Sequence, residues 1–202
     1  MGASNARCSH PIEPAVLLDY WMHTIDGVTI ESVEAHLFAC DDCGNRLRQI
    51  EALVEALREL AQSGAVKVVV DSRYAQRALD AGRKVREYAP PPGGTVQCTV
   101  SADDDLLIGS LAADLSGAER VDVAFCTTTG VELQRLVDVP FDARAGAITY
   151  QESITFAKGA PSNTLLVRLL AIEPQGNERL IGDFTFNHTR TIPGPPASGR
   201  DA

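Results

Sequence analysis

The chain has 202 residues, 45% hydrophobic and 22% charged, an ordinary globular composition with room for one large domain or two small ones. Its net charge of −9 argues against direct nucleic-acid binding, which calls for a basic stripe, and is compatible with docking on a basic protein surface. The acid is concentrated early, with residues 1–64 carrying a net −6 and the rest of the chain only −3.

The opening MGASNARCSHPIEP holds one Arg with no apolar run behind it, so no secretory signal is expected. No stretch approaches the ~18 apolar residues of a membrane-spanning helix. Five cysteines, an odd number with three crowded near the N-terminus, do not read as a disulfide framework, and the expected compartment is the reducing cytoplasm.

A first helix is predicted over EPAVLLDYWMHTI (13–25), with Pro14 in its first turn and Leu17, Tyr20, Trp21 and Ile25 at helical spacing. Gly27 breaks it, and Thr29 is the expected cap of a second helix, IESVEAHLFAC. Asp41 or Asp42 opens a third, in which Leu47, Ile50, Val54, Leu57 and Ala61 step by three and four while Leu53 and Leu60 widen the stripe. Ser63-Gly64 ends it.

The period then changes. VKVVV (66–70) reads as a strand and DSRYAQRALDAG (71–82) as a short helix ended by Gly82. RKVREYA and TVQCTVS flank PPPGG and are expected to form a hairpin. Strands follow at DLLIGSLAA, RVDVAFCT, VELQRLVDV, GAITYQESITF, NTLLVRLLAIE and RLIGDFTFNHT, separated by glycine- and proline-containing turns. The fold class is therefore α+β, in three parts: a three-helix domain over 1–64, an antiparallel β-sandwich-like domain over 65–190, and a Pro/Gly-rich tail over 191–202 expected to be disordered.

The chemistry is concentrated in HLFACDDC, residues 36–43. His36 and Cys40 stand four apart, which puts both on one helix face, and Cys43 lies three further on, past the helix end. Zn²⁺ takes four such imidazole and thiolate ligands in a tetrahedron. Upstream, Cys8 and His10 in CSH are both candidates for the fourth position. A redox CxxC would need a βαβ context, and the flanks here are helical. Chance burial of single cysteines is the bland alternative, but a helical domain of this size needs a staple.

The H-x3-C-x2-C pattern within VEAHLFACDDCGNRL, preceded by a helix that CSHP opens, resembles the zinc-associated anti-sigma domain, a zinc-finger family, over about residues 8–60. The resemblance implies a further ligand about one helical hairpin before the motif His. At 26 residues from His36, His10 fits that separation and is preferred, with Cys8 as the alternative. The implied zinc ligands are thus His10, His36, Cys40 and Cys43. The implied partner is an extracytoplasmic-function-type sigma factor of RNA polymerase, sequestered from the polymerase largely through the third helix, where Leu53, Val54, Leu57 and Leu60 form the candidate surface. Some members are redox switches, in which oxidation pairs thiols and releases zinc and partner. The alternative reading is a zinc-stapled adaptor with a ligand-binding β-sandwich and no sigma partner.

Beyond this stretch, Cys98 and Cys126 sit in strand patterns and are expected in the core, and His23 and His188 are lone histidines. ADDDLL (102–107) lacks the glycine and distant Glu of an EF-hand and reads as a solvated turn. No catalytic constellation is found, so the chain is not expected to be an enzyme.

Overall fold

A computed structural model describes residues 8–173 and 176–192; the expected disorder of the tail falls mostly outside them, on residues 193–202. The protein is α+β, with helices first and sheets after. The chain divides into two compact units, Met1–Glu59 and Leu60–Ala202.

The first unit is built from α1 (Pro14–Trp21), α2 (Gly27–Ala39) and most of α3 (Asp41–Gln62). α1 starts at Pro14, whose missing N–H and fixed φ suit a first turn. It stops at Trp21, and His23 then takes a left-handed conformation, so the predicted continuation to Ile25 does not form. α2 begins earlier than expected because Asp26, not Thr29, is its cap. The Asp26 carboxylate accepts from the Thr29 backbone N–H and hydroxyl, each at 2.9 Å. Among the described residues, this unit buries only the apolar side chains Leu17, Val33 and Cys43.

The second unit begins inside the last turn of α3 rather than at Ser63–Gly64. Hydrogen bonds explain the shift. Gln151, fully buried, donates from Nε2 to the Ala61 and Val66 carbonyls, each at 2.9 Å. The Tyr74 hydroxyl lies 3.1 Å from the Ala61 carbonyl and 3.0 Å from Gln151 Oε1, able to donate to either. Gly64 accepts from the Ile154 N–H at 2.8 Å. The end of α3 is thereby tied to the β unit.

This unit contains β1 (Val68–Val70), α4 (Tyr74–Asp80), β2 (Val85–Tyr88), β3 (Thr95–Cys98), β4 (Leu106–Ala112), β5 (Arg120–Cys126), β6 (Glu132–Leu136), β7 (Ala147–Glu152), α5 (Ile154–Gly159), β8 (Asn163–Ile172) and β9 (Glu178–His188). One sheet has the order β1-β7-β4-β2 and the other β3-β9-β8-β5-β6. The shared core alternates along the strands. Val121, Val123 and Phe125 of β5 meet Val167 and Leu169 of β8, Phe184 of β9, and Ile148 and Tyr150 of β7. Phe125 and Tyr150 pack edge to face at 5.4 Å.

Two expectations change. β2 and β3 form no hairpin: they lie in different sheets, and each pairs in parallel, β2 with β4 and β3 with β9. PPPGG does make a turn, closed by the Gly94 N–H on the Pro91 carbonyl at 2.8 Å, but it leads the chain from one sheet to the other. GAITYQESITF is half strand and half helix, because the Ser153 hydroxyl accepts from the Phe156 N–H at 3.2 Å and caps α5. The remaining pairings are antiparallel. No helix among the described residues is long and apolar enough to cross a membrane.

Candidate metal centre

α2 and α3 are joined by a single extended residue, Cys40, with φ −134° and ψ 104°. Its carbonyl accepts the Gly44 N–H at 3.1 Å and so opens α3. His36 is thereby held in the last turn of α2 and Cys43 in the first turn of α3. The predicted same-face pair on one helix is instead a corner between two helices, with Cys40 between them, and Cys43 lies in the third helix as expected.

The fourth donor comes from ahead of α1. The Cys8 backbone N–H donates to Asp42 Oδ2 at 2.8 Å. Its Sγ then lies 3.5 Å from His36 Nε2. The donor atoms of Cys8, His36, Cys40 and Cys43 all lie within 4.8 Å of one another. A zinc tetrahedron built on ordinary bond lengths has edges of about 3.6 Å between sulfur and nitrogen and about 3.8 Å between sulfurs. The four side chains are thus close enough to hold a metal ion, and their donor set suits zinc. Cys43 is buried and the other three are half-buried.

The electrostatics favour ligation at Cys40. Its thiol is lowered to about 7, first by the backbone N–H of Cys43, then by hydrogen bonds from Cys8, His36 and Cys43. The position is that of a helix cap, where the first N–H groups of α3 face an anion. The Cys8 thiol is pushed up, first by loss of water around it and then by its hydrogen bond to Cys40. A cation among these sulfurs would remove that conflict by making thiolates of them.

The preferred fourth ligand of the sequence reading, His10, is not in the group. It is exposed, and its Nδ1 lies 3.0 Å from the Ser9 hydroxyl. Cys8, the alternative, takes the corner because Asp42 anchors its backbone. Separation along the chain favoured His10, and the structure places Cys8 there instead. Asp42 itself was missed as a positioning residue; an acid in the first turn of a helix beside the motif was the only signal.

The candidate partner surface is exposed in large part. Leu53 and Leu57 are 60% and 55% accessible, Leu60 at the start of the second unit 46%, and Val54 is half-buried. Sequence patterning did not single out Phe38, 92% exposed on α2. Elsewhere, ADDDLL is not a free acidic turn. Asp104 is buried and accepts from Arg86 Nε at 3.1 Å and Nη2 at 3.2 Å, and Asp103 pairs with Lys84.

No protein-family model matches the chain, and no curated protein matches it. One solved structure, the N-terminal domain of phage TP901-1 ORF48, is similar at 16% identity and a TM-score of 0.31, over 54% of this chain and 98% of that one. A likeness at that level carries no argument about function.

Proposed function

We propose that the protein is a zinc-binding regulator whose helical unit binds and sequesters a sigma factor of the extracytoplasmic-function type. The observation that carries the metal half of this reading is the convergence of Cys8, His36, Cys40 and Cys43 within 4.8 Å. The ligands would be those four side chains, and zinc there supplies a structural crosslink between the segment before α1 and the α2–α3 corner. Two things support the sigma half: the H-x3-C-x2-C resemblance, and leucines that α3 leaves in water. Leu53 and Leu57 are far more exposed than side chains that serve a core, and apolar groups at this spacing suit a partner that lays a groove against a helix. The net charge of −9 suits a partner that must also bind DNA.

The test is capture from native cytosol on the tagged full chain, under reducing conditions, with identification by mass spectrometry. A stoichiometric sigma factor is expected. It should be lost both with Cys40→Ser and with Leu53→Glu/Leu57→Glu, although only the first variant loses zinc. Recovery of no sigma factor by the zinc-loaded protein overturns the reading and favours an adaptor. The redox switch that the resemblance also implies is read separately: peroxide oxidises two thiolates to a disulfide and zinc is released. Retained zinc with free thiols after moderate peroxide would rule that switch out.

A further inference from the structure

Between the two sheets of the β unit, beside α5, lies a cavity of about 90 Å³. Its walls are mostly apolar, including Val100, Ile108, Leu165 and Phe186. His188 of β9 lines it, and the His188 Nε2 is buried with no hydrogen-bond partner among the described residues. A buried polar atom of this kind calls for a partner. We propose that this cavity is a binding site for a small uncharged alcohol, whose hydroxyl donates to His188 Nε2 while its hydrocarbon part fills the apolar walls.

The ring's protonation sets the ligand's polarity. Burial lowers the pKa of the imidazole, which favours its neutral form. A neutral ring has its lone pair on one nitrogen, and the proposal places it on Nε2, which no protein group reaches. The complement is therefore an O–H or N–H donor. An ionised ligand is disfavoured by the apolar walls. The one carboxylate among the lining residues, Glu152, is held by Lys67 at 2.9 Å. The Tyr88 hydroxyl in the wall is already used, accepting the Thr99 N–H at 2.8 Å and donating to its carbonyl at 2.7 Å. A cavity of this size takes a molecule of only about four or five non-hydrogen atoms.

The test titrates the full chain, labelled with ¹⁵N-histidine, with isobutanol and with methyl isopropyl ether. The two have the same atoms, but only the alcohol is a donor. Isobutanol should shift the His188 Nε2 resonance saturably with a millimolar midpoint, and the ether should bind at least about tenfold more weakly, the cost of an unmade buried hydrogen bond. His188→Phe should bring the alcohol-to-ether ratio close to one. Equal binding of the two by the native protein overturns the proposal. So does a shift that never saturates, as for a cavity holding only water, or an Nε2 found protonated. If His188→Phe fails to fold, the ratio in the native protein still decides.

Discussion

The Asp42 carboxylate accepts the Cys8 N–H at 2.8 Å, and this one bond carries a thiol to the corner where α2 ends and α3 begins. Cys8 and His10 are two residues apart and both of the right chemistry, and separation along the chain favoured the wrong one, His10. What separates them is an anchor thirty-odd positions away in the chain, and no local pattern reports such an anchor. Removing Cys8 should therefore act on the metal, and removing His10 should not. Cys8→Ser is expected to weaken zinc binding by at least about tenfold, since ligation and local folding are one equilibrium. Asp42→Ala, which leaves all four donors in place, should cost about 10–100-fold through lost positioning. His10→Ala should leave affinity unchanged. Competition with a chromophoric chelator measures all three, and loss of affinity with His10→Ala would return that residue to the ligand set. A different residue-scale constraint acts at Gly64. Its φ is +77°, and a Cβ there would meet the Asp105 carbonyl oxygen at 2.5 Å. Gly64 reads in sequence as a helix stop, and that is correct but incomplete: the close approach of another backbone is invisible until the fold exists. Gly64→Ala should destabilise the β unit by about 2–4 kcal/mol, combining left-handed strain with overpacking, as read from denaturant midpoints.

Among the elements, α3 shows most clearly what periodicity can and cannot say. Its apolar residues step by three and four, so its helical state and approximate length were legible from sequence. Which of those residues face a core was not legible, because periodicity gives a stripe and not its neighbour. Leu53 and Leu57 remain more than half exposed. Substitution there should therefore do little to folding: Leu53→Glu and Leu57→Glu are each expected to shift stability within about 0.5 kcal/mol, the range of surface positions. Loss of sigma-factor capture with full thermal stability and full zinc content would tie the stripe to the partner. A large drop in stability would mean that these leucines serve the fold instead. The strands follow the same logic in reverse. Period-two runs were legible in β5 and β8, where inward Val and Leu alternate with other groups. Their pairing was less so. PPPGG looks like a hairpin turn to any local rule, yet β2 and β3 find parallel partners in different sheets, β2 with the nearby β4 and β3 with the distant β9. ESITF resembles strand until the Ser153 hydroxyl, accepting the Phe156 N–H, decides for helix; short apolar runs of this kind are ambiguous by nature.

At the scale of the whole molecule, the two units differ in what holds them. The β unit has a core from both sheets, with Phe125, Phe184, Leu111, Leu169 and Ile148 almost fully buried; outside the His188 cavity, Asp104 is satisfied by Arg86 and Gln151 by two carbonyls. The helical unit buries little besides Leu17, Val33 and Cys43, and one of those three is a sulfur of the donor group. Hydrophobic burial on that scale does not offset the entropy of ordering some fifty residues, so a crosslink must make up the difference. Metal bound at the α2–α3 corner is the crosslink on offer, and its binding energy would count directly as folding energy for this unit alone. Two separable transitions should follow. In the zinc-loaded protein the helical signal at 222 nm should melt in a step whose midpoint falls when a strong chelator is added, with hydrogen exchange over residues 8–59 rising at once. The strand signal and the protection of β5 and β8 should be indifferent to the chelator. The contrast is set by the composition of each unit, so it should persist in Leu53→Glu/Leu57→Glu and vanish in Cys40→Ser, which should resemble the chelated native protein without any chelator present. Helical protection that survives complete metal removal would mean that the three-residue core is sufficient after all, and that the cysteines and His36 converge for chemistry rather than for stability.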